Sequence, residues 1–134
     1  LEDKRLPRMI IVQAEGCAPL VRAFQQGKDE AEAWPAQDAH TQAAGLRVPA
    51  AIGDRLILQA VRESGGTALS ISDEQMIQMI HYAAEREGLF PSIEGAAPIA
   101  AYHNLLATQI LKPDDTVVVY LTGSGLPDLL APVY

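Results

Sequence analysis

The stretch Val118-Val-Tyr-Leu-Thr-Gly-Ser-Gly125 constrains this chain more than any other, because an apolar run ends abruptly at a small hydroxyl residue followed by Gly-Ser-Gly. In an open α/β sheet, ligands bind beyond the carboxyl ends of the strands, where such a turn exposes backbone amides and one polar side chain. Thr122 therefore stands where chemistry concentrates in folds of this kind. The same residues also build tight strand-to-helix turns that bind nothing, since glycine supplies the backbone freedom a sharp turn needs. The motif alone leaves both readings open.

The rest of the chain supplies the alternation of strands and helices that such a sheet requires. Residues 9–12, Met-Ile-Ile-Val, form a continuous apolar run that reads as a buried strand of the parallel type. Residues 17–26 follow as a short helix with Leu20, Val21, Ala23 and Phe24 on one face, and Gly27 is placed to end it. Residues 28–45 are polar and alanine-rich with Trp34-Pro35 in the middle, a long irregular segment of the sort used for binding loops. Leu46-Arg-Val48 before Pro49 reads as a short extended piece. Asp54 opens a helix through Glu63, Gly65-Gly66 breaks it, and residues 67–71 alternate as a strand. Ser72-Asp-Glu-Gln75 is a capping-box signature with acids in the first turn, and Gly88 stops the helix that it starts. Residues 95–107 are helical again, and their small residues at the start permit a close approach to the helix terminus. Residues 116–121 form the strongest strand in the chain. The order predicts an α/β fold with a mostly parallel sheet and helices on both faces.

Composition narrows the possible partners. At 134 residues, 49% of them hydrophobic, the chain has the length of one globular domain. A net charge of −7 disfavours nucleic acid and anionic membrane surfaces. No apolar run reaches the roughly 18 residues of a membrane span. The single cysteine, Cys17, rules out an internal disulfide and suits a reducing, cytoplasmic setting. It reads as a small buried residue and not a nucleophile, having no histidine placed to activate it. His40, His81 and His103 lie far apart without ligand spacing, so no metal site is expected.

Four segments together carry a family resemblance. Gln13-Ala-Glu-Gly-Cys-Ala-Pro19, Arg62-Glu-Ser-Gly-Gly-Thr67, Glu87-Gly-Leu-Phe-Pro-Ser-Ile-Glu-Gly-Ala-Ala97 and Leu121-Thr-Gly-Ser-Gly-Leu126 occur in this order with helical spacers. The pattern resembles the carboxyl-terminal third of threonine synthases, pyridoxal-phosphate enzymes that share a fold with the tryptophan synthase β subunit and threonine dehydratase. The resemblance implies the carboxyl-terminal part of the large domain of that fold. It also implies a pyridoxal phosphate cofactor in the full-length enzyme, bound weakly or not at all by this part alone. The family's Schiff-base lysine sits earlier, in a Ser-x-Lys-type context before a Gly-rich phosphate loop. Lys4, Lys28 and Lys112 have no such context, so the chain reads as a carboxyl-terminal fragment, inactive by itself, whose partners include the missing amino-terminal part and further copies of the enzyme.

Within the resemblance, a threonine or serine at the end of the last core strand faces the cofactor's pyridine nitrogen, and Thr122 occupies that position. Ser124 is the next candidate, with a turn hydroxyl as its alternative. Glu94 opens the Glu-Gly-Ala-Ala run, where an acid either caps the helix or lies beside the cofactor ring. Glu15 either lines the site mouth or bonds the amides that follow it, the second being the preferred reading. The implied reaction is conversion of O-phosphohomoserine and water to threonine and phosphate. Its alternatives are a serine/threonine dehydratase or other β-replacement relative, and a non-catalytic interaction module derived from such an enzyme.

Overall fold

A computed structural model of the chain describes residues 6–126. Two strands form its centre, β1 (Ile10–Ala14) and β2 (Thr67–Ile71), paired in parallel with Ile10 opposite Thr67 and Ala14 opposite Ile71. Parallel strands need a long crossover. It runs here through α1 (Pro19–Gln25), an irregular segment with one 3₁₀ turn at Ala44–Leu46, and α2 (Asp54–Glu63). After β2 come α3 (Asp73–Glu87) and α4 (Ile93–Ala107). Of the extended piece expected at residues 46–48, Leu46 instead ends that 3₁₀ turn, with Leu46 N–H bonded to Ala43 and Arg47 N–H to Ala44, while Arg47 and Val48 join no strand.

Alternation along the strands divides the interior into two layers. Ile11 and Ala68 face α1 and α2, packing with Leu20, Val21, Leu58 and Val61. Ala14 and Ile71 face the opposite way, against Met76 and the Ala96, Ala97, Ala100 and Ala101 surface of α4. Helices therefore cover both faces of a parallel sheet, as the pattern of elements requires. Leu58, Ile71 and Met76 are fully buried. Truncating any of them to alanine would cost about 2–5 kcal/mol.

Helix ends follow the sequence signals closely. The Ser72 hydroxyl accepts from the Gln75 amide while the Gln75 side chain accepts from the Ser72 amide, which completes the capping box. Gly88 closes α3 in the left-handed region at φ 64°, a conformation that costs a residue with a Cβ more than it costs glycine. Ser92 caps α4 by accepting from Gly95 N–H.

The strand expected at residues 116–121 is a correction. The segment is extended, with Val117 and Val119 half-buried and Val118 and Tyr120 exposed, but it joins no ladder among the described residues. A strand is defined by its neighbour, and here a cavity separates this segment from β1.

Candidate functional site

The cavity between β1 and the extended segment has a volume of about 290 Å³, near the small end of ligand pockets. Ile10 and Val12 of β1 form one wall, α4 contributes Ala97, Ala101 and Leu105, and residues 117–120 close the other side. Thr122 and Glu94 line this largely apolar space, together with the two tyrosines Tyr102 and Tyr120.

The Gly-Ser-Gly turn explains how Thr122 arrives there. Ser92 N–H donates to the Gly123 carbonyl and Gly125 N–H to the Phe90 carbonyl, both at 2.9 Å, so the turn docks backbone to backbone on the residues that precede α4. A Cβ at Gly123 would lie 2.7 Å from Ser92 Oγ, and one at Gly125 would lie 2.7 Å from the Pro91 carbonyl oxygen. Gly125 is needed for this close docking because backbone stands in the way, whereas a side chain at Gly123 would have to push the Ser92 hydroxyl off its cap on Gly95 N–H. The docking brings Thr122 to the amino end of α4, where its exposed hydroxyl bonds no other described residue. Ser124 faces away from that cavity: it bridges Pro91 in the docked turn and its hydroxyl accepts from Leu126 N–H at 3.2 Å.

The Glu94 carboxylate bonds both at the amino end of its own helix, to its own amide and the Ser92 hydroxyl, and beyond it. Ser92 already fills the cap, and the Glu94 carboxylate accepts from Gly45 N–H at 2.9 Å, joining the irregular segment to α4. That backbone bond holds its carboxyl below the usual glutamate range, against an opposing push from partial burial. Pro98, one turn on, lines the same cavity and has no N–H to give the Glu94 carbonyl.

Other candidates separate from this centre. Glu15 is exposed and its carboxylate bonds nothing among the described residues. The preferred expectation that it would hold the following amides is corrected, because the buried Gln13 side chain does so, accepting from Leu20 and Val21 N–H at 2.9 and 3.0 Å. The signal for Gln13 was a lone amide inside an apolar strand just before a helix. Cys17 is fully buried, and burial pushes its thiol above the ordinary range, as suits a packing residue. Lys28 pairs with Glu32 on the surface, Lys112 is exposed, and neither lines the cavity; Lys4 lies outside the described residues. Among the described residues no group of histidine, cysteine and acidic side chains could hold a metal, and no helix is long and apolar enough to cross a membrane.

A parallel sheet covered by helices, with Thr122 and Glu94 beside it at one apolar cavity, is the setting in which α/β folds hold small molecules. The chain belongs to the family of pyridoxal-phosphate dependent enzymes, whose model matches residues 1–123. It is 34% identical over 123 residues to the threonine synthase of Methanosarcina acetivorans, covering 92% of this chain and 30% of that protein. Similarity to the threonine synthase of Methanocaldococcus jannaschii is 32% over 123 residues, with the same coverage. The chain thus spans about 30% of the length of these curated relatives. Among solved structures, a threonine deaminase from T.th. superposes with a TM-score of 0.59 at 23% identity, over 78% of this chain and 35% of that one, which shows a shared fold.

The residues at the cavity suit the family's cofactor. A neutral hydroxyl with no partner among the described residues offers one hydrogen bond to a ring nitrogen, and the apolar walls match an aromatic ring.

Proposed function

We propose that this chain is the carboxyl-terminal part of a threonine-synthase-type lyase, which converts O-phosphohomoserine and water to threonine and phosphate. The observation that carries the reading is the meeting of Thr122 and Glu94 at one apolar cavity, in a chain similar along nearly its whole length to threonine synthases. Bound pyridoxal phosphate supplies an electron sink, whose depth is set by the group that faces its pyridine nitrogen. Thr122 is that group. Its hydroxyl carries no charge, so it orients the nitrogen without forcing a proton onto it. Glu94, kept ionised by the Gly45 amide, holds a fixed negative charge at the cavity edge, and Ser124 stiffens the turn that carries Thr122. The walls from β1 and α4 give the ring an apolar side to pack against.

The Schiff-base lysine comes from outside these residues, since Lys28 and Lys112 stand on the surface away from the cavity. The chain alone therefore binds the cofactor weakly or not at all and is inactive. Its partner is the remainder of the same enzyme, which supplies the missing strands. β1 pairs only with β2 among the described residues, while Val118 and Tyr120 of the unpaired segment are 72% and 75% exposed. Apolar edges of this kind associate. The assembled enzyme forms homo-oligomers in the cytoplasm.

The test is product analysis on the complete protein loaded with pyridoxal phosphate. Phosphate and threonine released from O-phosphohomoserine support the proposal. Ammonia from serine or threonine without phosphate release would favour a dehydratase, and no turnover of either substrate would favour a non-catalytic module.

A further inference from the structure

Among the described residues, one acid in the first turn of each of α2, α3 and α4 reaches beyond its own helix. Asp54 accepts from Ala31 N–H at 2.7 Å, Asp73 from Thr41 Oγ1 at 2.5 Å and Gln42 N–H at 2.8 Å, and Glu94 from Gly45 N–H at 2.9 Å. Each donor belongs to the long irregular segment between α1 and α2. Asp73 and Glu94 are available for this because Ser72 and Ser92 already cap α3 and α4.

The bonds fix residues 38–46 in a definite place. His40 N–H donates to the Gly16 carbonyl just beyond β1, while Ala43 is wholly buried against Ala14 and Ile71, the last residues of the two strands. The segment is a strap across the carboxyl ends of β1 and β2, the end of the sheet where ligands bind. Its final residue, Leu46, lines the cavity shared by Thr122 and Glu94. Only two residues separate the Gln42 bond to Asp73 from the Gly45 bond to Glu94, so the first sets the register of the second.

We propose that Asp73 is a positioning residue for the cofactor cavity, acting through the strap: by holding Thr41 and Gln42 it seats Gly45 on Glu94 and Leu46 in the cavity wall. Asp73 does not line the cavity and takes no part in the chemistry. The strap's placement rests on the observed bonds alone, whereas its effect on the cofactor rests on the function proposed above.

The experiment compares wild type, Asp73→Ala, Asp73→Asn and Thr41→Val in the complete protein, with two readouts. Hydrogen exchange at the amides of Gln42 and Gly45 should quicken roughly ten- to a hundred-fold in Asp73→Ala, with β1 and β2 amides unchanged, as expected for losing a charged acceptor from a locally opening segment. Affinity for pyridoxal phosphate, followed by its fluorescence, should weaken roughly ten-fold in the same variant. Asp73→Asn keeps an acceptor for Gln42 and should restore most of both. Thr41→Val, which keeps the shape but loses both the hydroxyl's bond to Asp73 and its acceptance from Ala43 N–H, should quicken exchange by a smaller factor because the charged acceptor for Gln42 remains, and it keeps the test decisive if Asp73→Ala fails to fold. Unchanged exchange in Asp73→Ala and Thr41→Val would overturn the strap. Faster exchange with unaltered cofactor affinity would overturn the positioning role. A wild-type protein that binds no pyridoxal phosphate would instead sink the proposed function, and with it the link from strap to cofactor.

Discussion

Replacing Gly16 by alanine tests the seat of the strap through a single methyl group. A Cβ there would lie 1.9 Å from the His40 carbonyl oxygen and 3.0 Å from its carbonyl carbon. Ordinary contact begins near 3.4 Å, so the strap must retreat by about 1.5 Å (3.4 − 1.9) from the turn. The obstructing atoms are backbone, which cannot swing aside as a side-chain tip can. Retreat breaks the His40-to-Gly16 hydrogen bond and pulls on Thr41 and Ala43, which are anchored to Asp73 and the core. Overpacking of this kind costs about 1–3 kcal/mol, and a lost backbone hydrogen bond about 1 more. The expected destabilisation is therefore about 2–4 kcal/mol, measured by urea titration against the parent slope. Gly45→Ala is the control. Its Cβ would meet only the flexible Glu94 side chain, at 3.1 Å from Cγ, and the cost should stay under about 1 kcal/mol. Equal costs for the two substitutions, or no cost for Gly16→Ala, would refute the placement of the strap.

Two further outcomes follow from the site. The Glu94 carboxyl is lowered in the folded chain, chiefly by the Gly45 amide, so its stabilisation is complete above the ordinary glutamate value of 4.5 and fades as pH falls through the lower, folded value. The protection of the Gly45 amide, taken against its intrinsic exchange rate at each pH, should fall on acidification through that range in wild type, and a Glu94→Gln variant should remove this dependence. Borohydride reduction of the complete protein with pyridoxal phosphate should label one lysine outside these 134 residues. Stoichiometric labelling of Lys28 or Lys112, read by peptide mass, would contradict the placement of the cofactor.

Local structure was legible where the deciding groups are neighbours in sequence. The Ser72–Gln75 capping box and the Gly88 stop each depend on contacts within a few residues and stand as read, and β2 stands as read because its alternation matches the ladder that β1 offers it. Boundaries moved by a residue or two where no cap marks them, as at β1. The failures share one cause. Residues 116–121 have every local mark of a strand, yet a ladder is a property of two segments, and none of the described residues pairs with these. Glu15 looked like the group to hold the α1 amides, but Gln13 lies within β1, buried where it reaches those amides, while Glu15 stands one residue past the end of the strand and is exposed. Asp73 and Glu94 are indistinguishable from capping acids in sequence; their use as anchors for a distant loop depends on where that loop runs. Thr122 and Glu94 could be nominated from motifs, but their meeting at one cavity, and the separation of Ser124 from it, required the fold.

The most direct test of the account is the Thr122→Val substitution in the complete enzyme, because valine keeps the shape and removes only the hydroxyl. Cofactor content and its absorption should be retained while turnover falls roughly ten- to a hundred-fold, the effect of one hydrogen bond worth about 1.5–3 kcal/mol at the reacting system. Full turnover in the valine variant would mean that Thr122 does no more than shape its turn, and the cavity beside α4 would lose its claim to be the cofactor's.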